Sequence, residues 1–328
     1  MLYDVTLRDG NHALRHALTP EFVERYCSVA DQTSSYAVEV GHGNGLGASS
    51  FLVGKSTSTD LQLLTTARNS LRNVKLAVHT IPGFATIERD LKPAIDLGVD
   101  VFRVATHASE ADVAERHIGF LKKSGLEVQG VLMMTHMVSS EALVTQALLH
   151  ESQGADAVII MDSAGYYKPA DVRSRIEALR QALSVPIGFH AHNNLGVAVT
   201  NALVAKDAGA EILDGSSMGL GAGAGNAQLE NLAANLLSSR SEIDSISGYL
   251  KLSKLVEEEW FAFLPKVTSG SIEGALSGVF SGYAPQVAKI AAELGIEKSN
   301  LWKAIGDRKL VAGQESMIRE IAQDLMNL

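Results

Sequence analysis

A pair of histidines, His190 and His192, is the feature of this sequence with the clearest chemistry. The pair lies in the segment FHAHNNLG, residues 189–196, whose first half has the composition of a buried strand. Side chains two residues apart on a strand point to the same face, so both imidazoles can hold one ion. One buried histidine alone is more often a hydrogen-bonded core residue than a ligand. The pair, combined with a carboxylate from another strand, predicts a metal site.

Asp9 is the carboxylate that we expect to complete this site. It directly follows the first strand-like segment and lies between Arg8 and Gly10. Two imidazoles and one carboxylate, with no sulfur, suit Mn²⁺, Mg²⁺, Fe²⁺ or Zn²⁺ and leave positions open for water or a chelating substrate. Asp162, at the end of a later strand, is the competing carboxylate, and its alternative role is to cap the next helix.

Two neighbours of Asp9 carry further chemistry. Arg8 is either the partner in a structural ion pair or a fixed positive charge for an anionic intermediate, because its guanidinium stays protonated. His12 is a candidate general base, because unperturbed imidazole titrates near neutral pH. We expect structural or supporting roles for the other histidines at strand ends, which are His42, His107 and His136.

A glycine-rich run, GLGAGAGN at residues 219–226, departs from a dinucleotide-binding fingerprint in both position and spacing. It indicates either a close approach of the backbone to the site, with amides available to a carboxylate, or a flexible loop. Both interpretations stay open at the level of the sequence.

Eight short apolar segments alternate with helical periodicity, and they predict the elements that position these residues. A strand followed by a helix, repeated eight times, predicts a TIM (β/α)8 barrel in residues 1–240, with the candidate residues at the carboxyl ends of its strands. A doubly wound open sheet is the alternative, but it calls for a phosphate-binding fingerprint where this chain has RDGNH. The predicted strands are residues 2–7, 36–40, 75–80, 101–106, 127–134, 157–162, 187–192 and 211–216.

Residues 241–328 have a different character. Segments with a helical period are separated by Gly and Pro, and no strand-like run is evident. We predict a smaller helical C-terminal domain packed on the barrel. The last helix has an apolar face that predicts burial against another surface, a second copy of the chain being one candidate. That face consists of Met317, Ile318, Ile321 and Leu325.

The composition excludes several classes of function. A net charge of −9 over 328 residues, without a basic stretch, argues against a nucleic-acid partner. The single cysteine, Cys27, excludes an internal disulfide and favours a reducing, cytoplasmic location. The N-terminal segment is not a signal peptide by pattern, and no apolar run reaches the roughly 20 residues of a bilayer span.

The motifs resemble those of one known family. TLRDG at the end of the first strand and HAHNN on the seventh resemble the HMG-CoA-lyase-like, or pyruvate-carboxylase-type, metal-dependent barrels. Within that family the chain resembles the class II pyruvate aldolases of aromatic meta-cleavage pathways, over nearly its whole length. Further matching motifs are RVATHASEADV, LMMTHM, GAGAGNAQLE and, specific to the aldolase branch, LVAGQESMIREIAQDL.

The resemblance implies an activity and a set of site residues. It implies a divalent ion, with Mn²⁺ as the expected metal, on Asp9, His190 and His192. It implies retro-aldol cleavage of a 4-hydroxy-2-oxo acid, such as 4-hydroxy-2-oxopentanoate, to pyruvate and an aldehyde, in a reversible reaction. Arg8 then steadies the pyruvate enolate and His12 takes the proton from the 4-hydroxyl group. Further substrate contacts are expected from Ser163 and Tyr283.

The resemblance also assigns the helical tail a partner, an acylating aldehyde dehydrogenase that receives the aldehyde. The sequence departs from the family pattern at three places. GVFSG puts Phe280 where the family has a tyrosine, Asn193 replaces a histidine of HAHHN, and the loop after the sixth strand reads SAGYYKP. These changes bear on aldehyde specificity, stereochemistry and the partner more than on the core reaction.

Two other classes of function remain in view. An acyl-CoA lyase or Claisen-type condensing enzyme of the same barrel family would need basic residues near the site for the CoA phosphates, and the strand-end loops offer few besides Arg8 and Lys168. A non-catalytic barrel scaffold has no need for an electropositive pocket.

Overall fold

Eight parallel strands form a closed barrel in the computed structural model, which describes residues 1–311 and 313–326, without the side chain of Arg240. Each strand pairs with the next along the chain, and the last pairs with the first. The predicted TIM barrel is therefore confirmed. The strands are β1 Leu2–Asp4, β2 Ala37–Glu39, β3 Lys75–Thr80, β4 Val101–His107, β5 Glu127–Met133, β6 Ala157–Asp162, β7 Ile187–Ala191 and β8 Ile212–Gly215.

Helices follow each strand and cover the outside of the barrel. Their apolar faces meet the outward side chains of the strands in two large buried clusters. Helix ends follow local signals: Thr59 caps α3 with a reciprocal capping box, for example. The helices of this part are α1 Gly10–Ala13, α2 Pro20–Ala30, α3 Asp60–Ser70, α4 Lys92–Asp96, α5 Glu115–Lys123, α6 Ser140–Ser152, α7 Pro169–Ala182, α8 Ala198–Asp207 and α9 Leu229–Asn235.

The tail is helical, as predicted. Its helices are α10 Ser247–Trp260, α11 Ser269–Leu276, α12 Ala284–Leu294, α13 Lys298–Asp307 and α14 Met317–Met326. Helix α10 packs on the barrel, because Leu252 and Val256 join its core and the Trp260 ring lies 3.7 Å from that of Phe22. The predicted domain boundary at residue 240 stays a prediction.

The apolar face of the last helix is covered within the chain. Ile318 and Ile321 are buried in a cluster that α14 shares with α12 and α13, and Met317 and Leu325 pack against that cluster. This face is therefore unavailable to a second copy, which removes the reason for expecting self-association through it. Across the described ranges, no helix combines the length and apolar character that a bilayer crossing requires.

Candidate metal centre and substrate cavity

The three predicted metal ligands come together at the carboxyl-terminal mouth of the barrel. One ligand atom each from Asp9, His190 and His192 lie within 4.8 Å of one another, and all three residues are buried. The His190 and His192 rings are 5.1 Å apart, and His190 Nε2 lies 3.9 Å from Asp9 Oδ2. The strand β7 ends at Ala191, yet the alternation of its side chains still carries His192 to the same side.

The donor atoms of this group fit a divalent cation. His190 Nδ1 bonds Asp214 Oδ2 at 3.0 Å, so a proton on Nδ1 leaves a lone pair on Nε2. Among the described residues, neither His190 Nε2 nor His192 Nδ1 has a hydrogen-bond partner. Buried nitrogen atoms without partners are costly unless a ligand satisfies them, and two imidazole nitrogens with one carboxylate oxygen are a donor set that could hold a divalent cation.

Asp9 is held from both sides as a carboxylate. Arg8 Nη1 donates to Asp9 Oδ1 at 2.8 Å, and the Asn226 side-chain amide donates to Oδ2 at 2.6 Å. Burial by itself raises the pKa of the Asp9 carboxyl, but Arg8 and the two site histidines together hold it well below its usual range. Asp9 is therefore ionised at neutral pH, as a metal ligand requires.

Arg8 lines the cavity described below and has one guanidinium nitrogen without an acceptor among the described residues. Its Nε donates to Glu39 Oε1, and its Nη1 donates to Asp9 and, at 3.4 Å, to the Gly43 carbonyl oxygen. No described residue accepts from its buried Nη2. The ion-pair alternative for Arg8 is therefore observed, and its role toward an anionic intermediate stays a prediction.

His12 lies beside the same carboxylate and is neutral. Its Nε2 is 4.0 Å from Asp9 Oδ1. Burial lowers the pKa of His12 to about 4, since the opposing attraction of Asp9 is partly offset by the repulsion of Arg8. A neutral imidazole is the form that accepts a proton at pH 7.

A cavity of about 180 Å³ lies over these residues. Its wall comes from both parts of the chain, because Phe280 and Val311 of the tail line it together with residues of the barrel. Ser163 also lines it, and the Ser163 oxygen accepts from the Met134 N–H at 2.9 Å. The predicted site residues on its wall are Arg8, Asp9, His12, Ser163, His190 and His192.

Tyr283 is the predicted site residue that the structure places elsewhere. It is buried in the core of the C-terminal helices, and its hydroxyl donates to the Val311 carbonyl oxygen. The cavity wall carries Phe280 instead, whose ring meets that of Tyr283 edge to face at 5.6 Å. A phenyl ring has no hydroxyl to offer the substrate, so Tyr283 does not replace the family tyrosine by contact with the cavity.

Three barrel loops fasten the tail segment that carries Phe280. Ser281 N donates to the Ser163 carbonyl oxygen at 3.2 Å, and the Ser281 hydroxyl donates to Asn194 Oδ1 at 2.9 Å. His136 Nε2 donates to the Gly278 carbonyl oxygen at 2.9 Å, which gives this histidine the structural role expected of it.

The other sequence candidates also have defined positions. Asp162 accepts from the backbone N–H groups of Tyr166 and Tyr167, so it fixes the loop after β6 rather than joining the ligand group. His42 bonds the Gly54 carbonyl oxygen and the Asn44 N–H. His107 lines the cavity and bonds the Ser109 hydroxyl at 2.7 Å.

The glycine-rich run approaches the site closely. A Cβ atom at Gly221 would lie 2.5 Å from the Asn226 amide nitrogen and 2.8 Å from Asp9 Oδ2. The run therefore permits contact between backbone and site, the first of the two interpretations. It also delivers Asn226, a buried neighbour of Asp9 that the sequence analysis did not single out.

Three charged residues behind the site were missed at the sequence level. Glu39, Arg103 and Asp214 are buried in the barrel interior and join Arg8 and His190 in one chain of contacts. A signal existed for Glu39 and Arg103, since each is the one charged residue of a largely apolar strand segment, YAVEV and VFRVAT; Asp214 follows two apolar residues in EILDGS. Charged residues are rarely fully buried unless paired, so each pointed to a partner.

The comparisons with known proteins define the class. Residues 1–259 match the HMGL-like family, and the chain belongs to it. Residues 265–327 match the DmpG-like communication domain. By fold, the chain resembles the carboxyl transferase domain of Rhizobium etli pyruvate carboxylase with 3-bromopyruvate, with a TM-score of 0.84 and 19% identity over all of this chain and 61% of that one. The N-terminal domain of a putative aldolase from Bacteroides vulgatus has a TM-score of 0.73 and 23% sequence identity, over 88% of this chain and 96% of that one.

Full-length relatives narrow the assignment. The 4-hydroxy-2-oxovalerate aldolase of Pectobacterium atrosepticum is 49% identical over 99% of this chain and 95% of its own length. Those of Spirochaeta aurantia and Burkholderia pseudomallei are 48% and 46% identical, over 99% of this chain and 96% and 94% of their own. Within the HMGL-like family, the chain belongs with the 4-hydroxy-2-oxovalerate aldolases.

Proposed function

We propose that this chain is a divalent-metal-dependent aldolase, a carbon–carbon lyase that cleaves a 4-hydroxy-2-oxo acid such as 4-hydroxy-2-oxopentanoate to pyruvate and an aldehyde. The observation that carries the proposal is the meeting of Arg8, Asp9, His12, His190 and His192 around one small cavity. The names of the full-length relatives support the same substrate class.

Asp9, His190 and His192 would hold the cation, and Mn²⁺ is the metal that we propose. A bound divalent ion supplies Lewis-acid polarisation to the 2-oxo acid. The protein prepares this site by keeping Asp9 ionised, through Arg8 and Asn226, and by directing the Nε2 lone pair of His190 inward, through Asp214.

The carbon–carbon step needs a base and a charge acceptor. His12 accepts the proton of the 4-hydroxyl group, the C3–C4 bond breaks, and C4 becomes the aldehyde carbon. The electron pair of the broken bond passes into the pyruvate enolate, whose negative charge faces Arg8 Nη2. A fixed guanidinium lowers the energy of that anion without reorganising during the reaction. A proton from solvent then adds to the enolate carbon to give pyruvate, and His12 releases to solvent the proton that it accepted, which regenerates the base.

The remaining cavity residues position the substrate. The Ser163 oxygen accepts from the Met134 N–H, which leaves the hydroxyl hydrogen to donate to the substrate carboxylate. The cavity of about 180 Å³ suits a small acid. Among its described lining residues, Arg8 is the only lysine or arginine, which favours such an acid over the phosphates of an acyl-CoA.

We further propose that the tail docks an acylating aldehyde dehydrogenase. The match of residues 265–327 to the DmpG-like communication domain supports this partner. Exposed apolar side chains at the start of the tail, Phe261, Phe263, Ile272 and Leu276, offer a surface of the required character. The buried free thiol of Cys27 agrees with a cytoplasmic location.

The proposal is tested by pyruvate release. The protein is dialysed against a chelator and assayed with 4-hydroxy-2-oxopentanoate before and after addition of Mn²⁺. We expect pyruvate release only with the metal restored. Failure to release pyruvate with Mn²⁺ or any other divalent metal would overturn the proposal.

A further inference from the structure

A single guanidinium in the barrel interior connects both sides of the metal-ligand group. Arg103 lies on β4, is fully buried, and crosses the barrel to Asp214 on β8, four strands away. Its Nη2 donates to Asp214 Oδ2 at 2.7 Å, and its Nη1 donates to Glu39 Oε2. Arg103 is too deep in the barrel to line the substrate cavity.

Each of its two carboxylate partners continues to a different site residue. Asp214 Oδ2, the oxygen that Arg103 contacts, also bonds His190 Nδ1 at 3.0 Å. The other carboxylate oxygen of Glu39, Oε1, accepts a hydrogen bond from Arg8 Nε. Arg8 in turn donates to Asp9 Oδ1. One chain of contacts thus runs from His190 through Arg103 to Asp9, and its two ends are two of the three metal ligands.

We propose that Arg103 is a positioning residue that fixes His190, Arg8 and Asp9 relative to one another, and with them the metal geometry and the enolate-facing guanidinium. This inference deepens the proposed function and rests on it for its catalytic part. The planar fork of an arginine is needed because it contacts two carboxylates in fixed directions, and an ammonium group on a flexible stem does not.

A simpler role for Arg103 makes a different prediction. If Arg103 only neutralised two buried carboxylates, any positive charge at this position would serve, and Arg103→Lys would behave as the native protein. If Arg103 positions the ligands, the lysine keeps the charge but loses one of the two directed contacts. Supporting contacts of this kind typically contribute roughly 10- to 100-fold to metal affinity or activity.

The test uses cobalt as a spectroscopic probe. The full-length apo-protein, prepared with a chelator, is titrated with Co²⁺, and its visible absorption reports both affinity and ligand geometry. For Arg103→Lys we expect roughly 10- to 100-fold weaker Co²⁺ binding, altered absorption bands, and a fall in kcat for pyruvate release that exceeds the change in KM. Arg68→Lys is the matched control, because Arg68 Nη1 donates to a carboxylate, Asp100 Oδ2, at 2.8 Å, away from the site. It should match the native protein in all three measurements.

A second variant interrupts the same chain of contacts at one carboxylate, and far-UV circular dichroism of both variants separates misfolding from mispositioning. Asp214→Ala removes the oxygen that Arg103 and His190 share and leaves the contact between Arg103 and Glu39 in place. We expect weaker Co²⁺ binding here as well. Native Co²⁺ affinity and spectrum in Arg103→Lys would overturn the inference, whatever the result for Asp214→Ala. A native protein that binds Co²⁺ but releases no pyruvate would instead overturn the proposed function. The Co²⁺ spectra of the native protein and of Arg103→Lys would still show whether Arg103 positions the ligands.

Discussion

At the scale of single residues, the site depends on two different states of ionisation held a few ångströms apart. Arg8 is the main group that keeps Asp9 charged, whereas burial keeps His12 neutral. A charged ligand and a neutral base are the forms that metal binding and proton abstraction require. The assignment of these roles can be tested one side chain at a time.

Asp9→Asn should abolish metal-dependent activity, with a loss of at least about 10²-fold, because an amide is a weaker ligand than a carboxylate. The measurements are Co²⁺ titration and pyruvate release. The control is Asp162→Asn, which alters a buried carboxylate outside the ligand group and should retain Co²⁺ binding. An Asp9→Asn protein with native activity would show that Asp9 is not a ligand.

His12→Ala should slow aldol cleavage by about 10²- to 10⁴-fold, the usual contribution of a positioned base. Exchange of the pyruvate methyl protons for deuterium, followed by NMR, should continue, because it does not require a base at the 4-hydroxyl group. Loss of both reactions together would point to a positioning role for His12. Native rates of cleavage would exclude it as the base.

The sequence allows the ligand residues to be predicted but not the charges behind them. His190 lies on one strand with His192 directly after its end, and Asp9 and Arg8 follow another strand, so the barrel rule alone predicts that they meet. Glu39, Arg103 and Asp214 lie inside strands that are far apart in the chain. Their pairing depends on side-chain reach across the barrel, which no local pattern records. Phe280 likewise reaches the cavity through a long-range contact.

At the scale of elements, the loop after β2 shapes the space for the base. A Cβ atom at Gly43 would lie 2.7 Å from three atoms of the His12 ring. Gly43→Ala should therefore displace His12 and lower kcat by about 10²-fold, since a displacement of 1 Å can have that effect. Co²⁺ binding should be unchanged. Gly119→Ala, where a Cβ meets open space, is the control. Equal kcat values in the two variants would contradict this account.

Glu230, at the start of α9, has a carboxyl group with a raised pKa. Glu230 accepts from Met218 N–H, and burial raises the pKa of Glu230 from 4.5 to about 7. Because the folded state holds this proton more tightly, the contribution of Glu230 to stability is greatest at acid pH and declines as the pH rises from about 4.5 to 7.

Glu230→Gln should remove this pH dependence while keeping an acceptor for Met218. We expect the Tm of the variant to exceed that of the native protein by a few degrees at pH 8, where the native protein carries a half-buried charge, and the difference to vanish below pH 4.5. Thermal unfolding across this range provides the measurement. A difference that is constant with pH would mean that Glu230 titrates normally.

Elements were predicted more accurately than their ends. The strands β3 and β6 have the predicted bounds, because each is a continuous buried run. By contrast, β1 ends at Asp4 rather than Leu7, because the Thr6 N–H bonds the Asp4 side chain and the chain turns there, with Asp9 N donating to the Val5 carbonyl oxygen. Side-chain contacts of this kind with the backbone compete with strand pairing and are hard to predict from composition.

At the scale of the whole molecule, the metal should stabilise the fold. The ligands come from opposite ends of the barrel sequence, so the unfolded chain does not present them together. Metal at 100 times its Kd adds about 2.7 kcal/mol to the free energy of unfolding, or about 5 °C in Tm. Thermal scans with and without Mn²⁺ measure this shift. Asp9→Asn should show no shift, and equal shifts in both proteins would place the stabilising ion elsewhere.

The contribution of Phe280 and Val311 to the cavity wall makes the shape of the cavity depend on both the barrel and the tail. A substitution that suits a bulkier aldehyde can arise in either half, and its benefit depends on the residue that it faces in the other. Exchanging tails between two relatives of this protein would therefore transplant part of the substrate preference along with any partner-binding surface. A chimera that received the tail of a relative in order to bind a different dehydrogenase would therefore also differ in its preference among aldehydes.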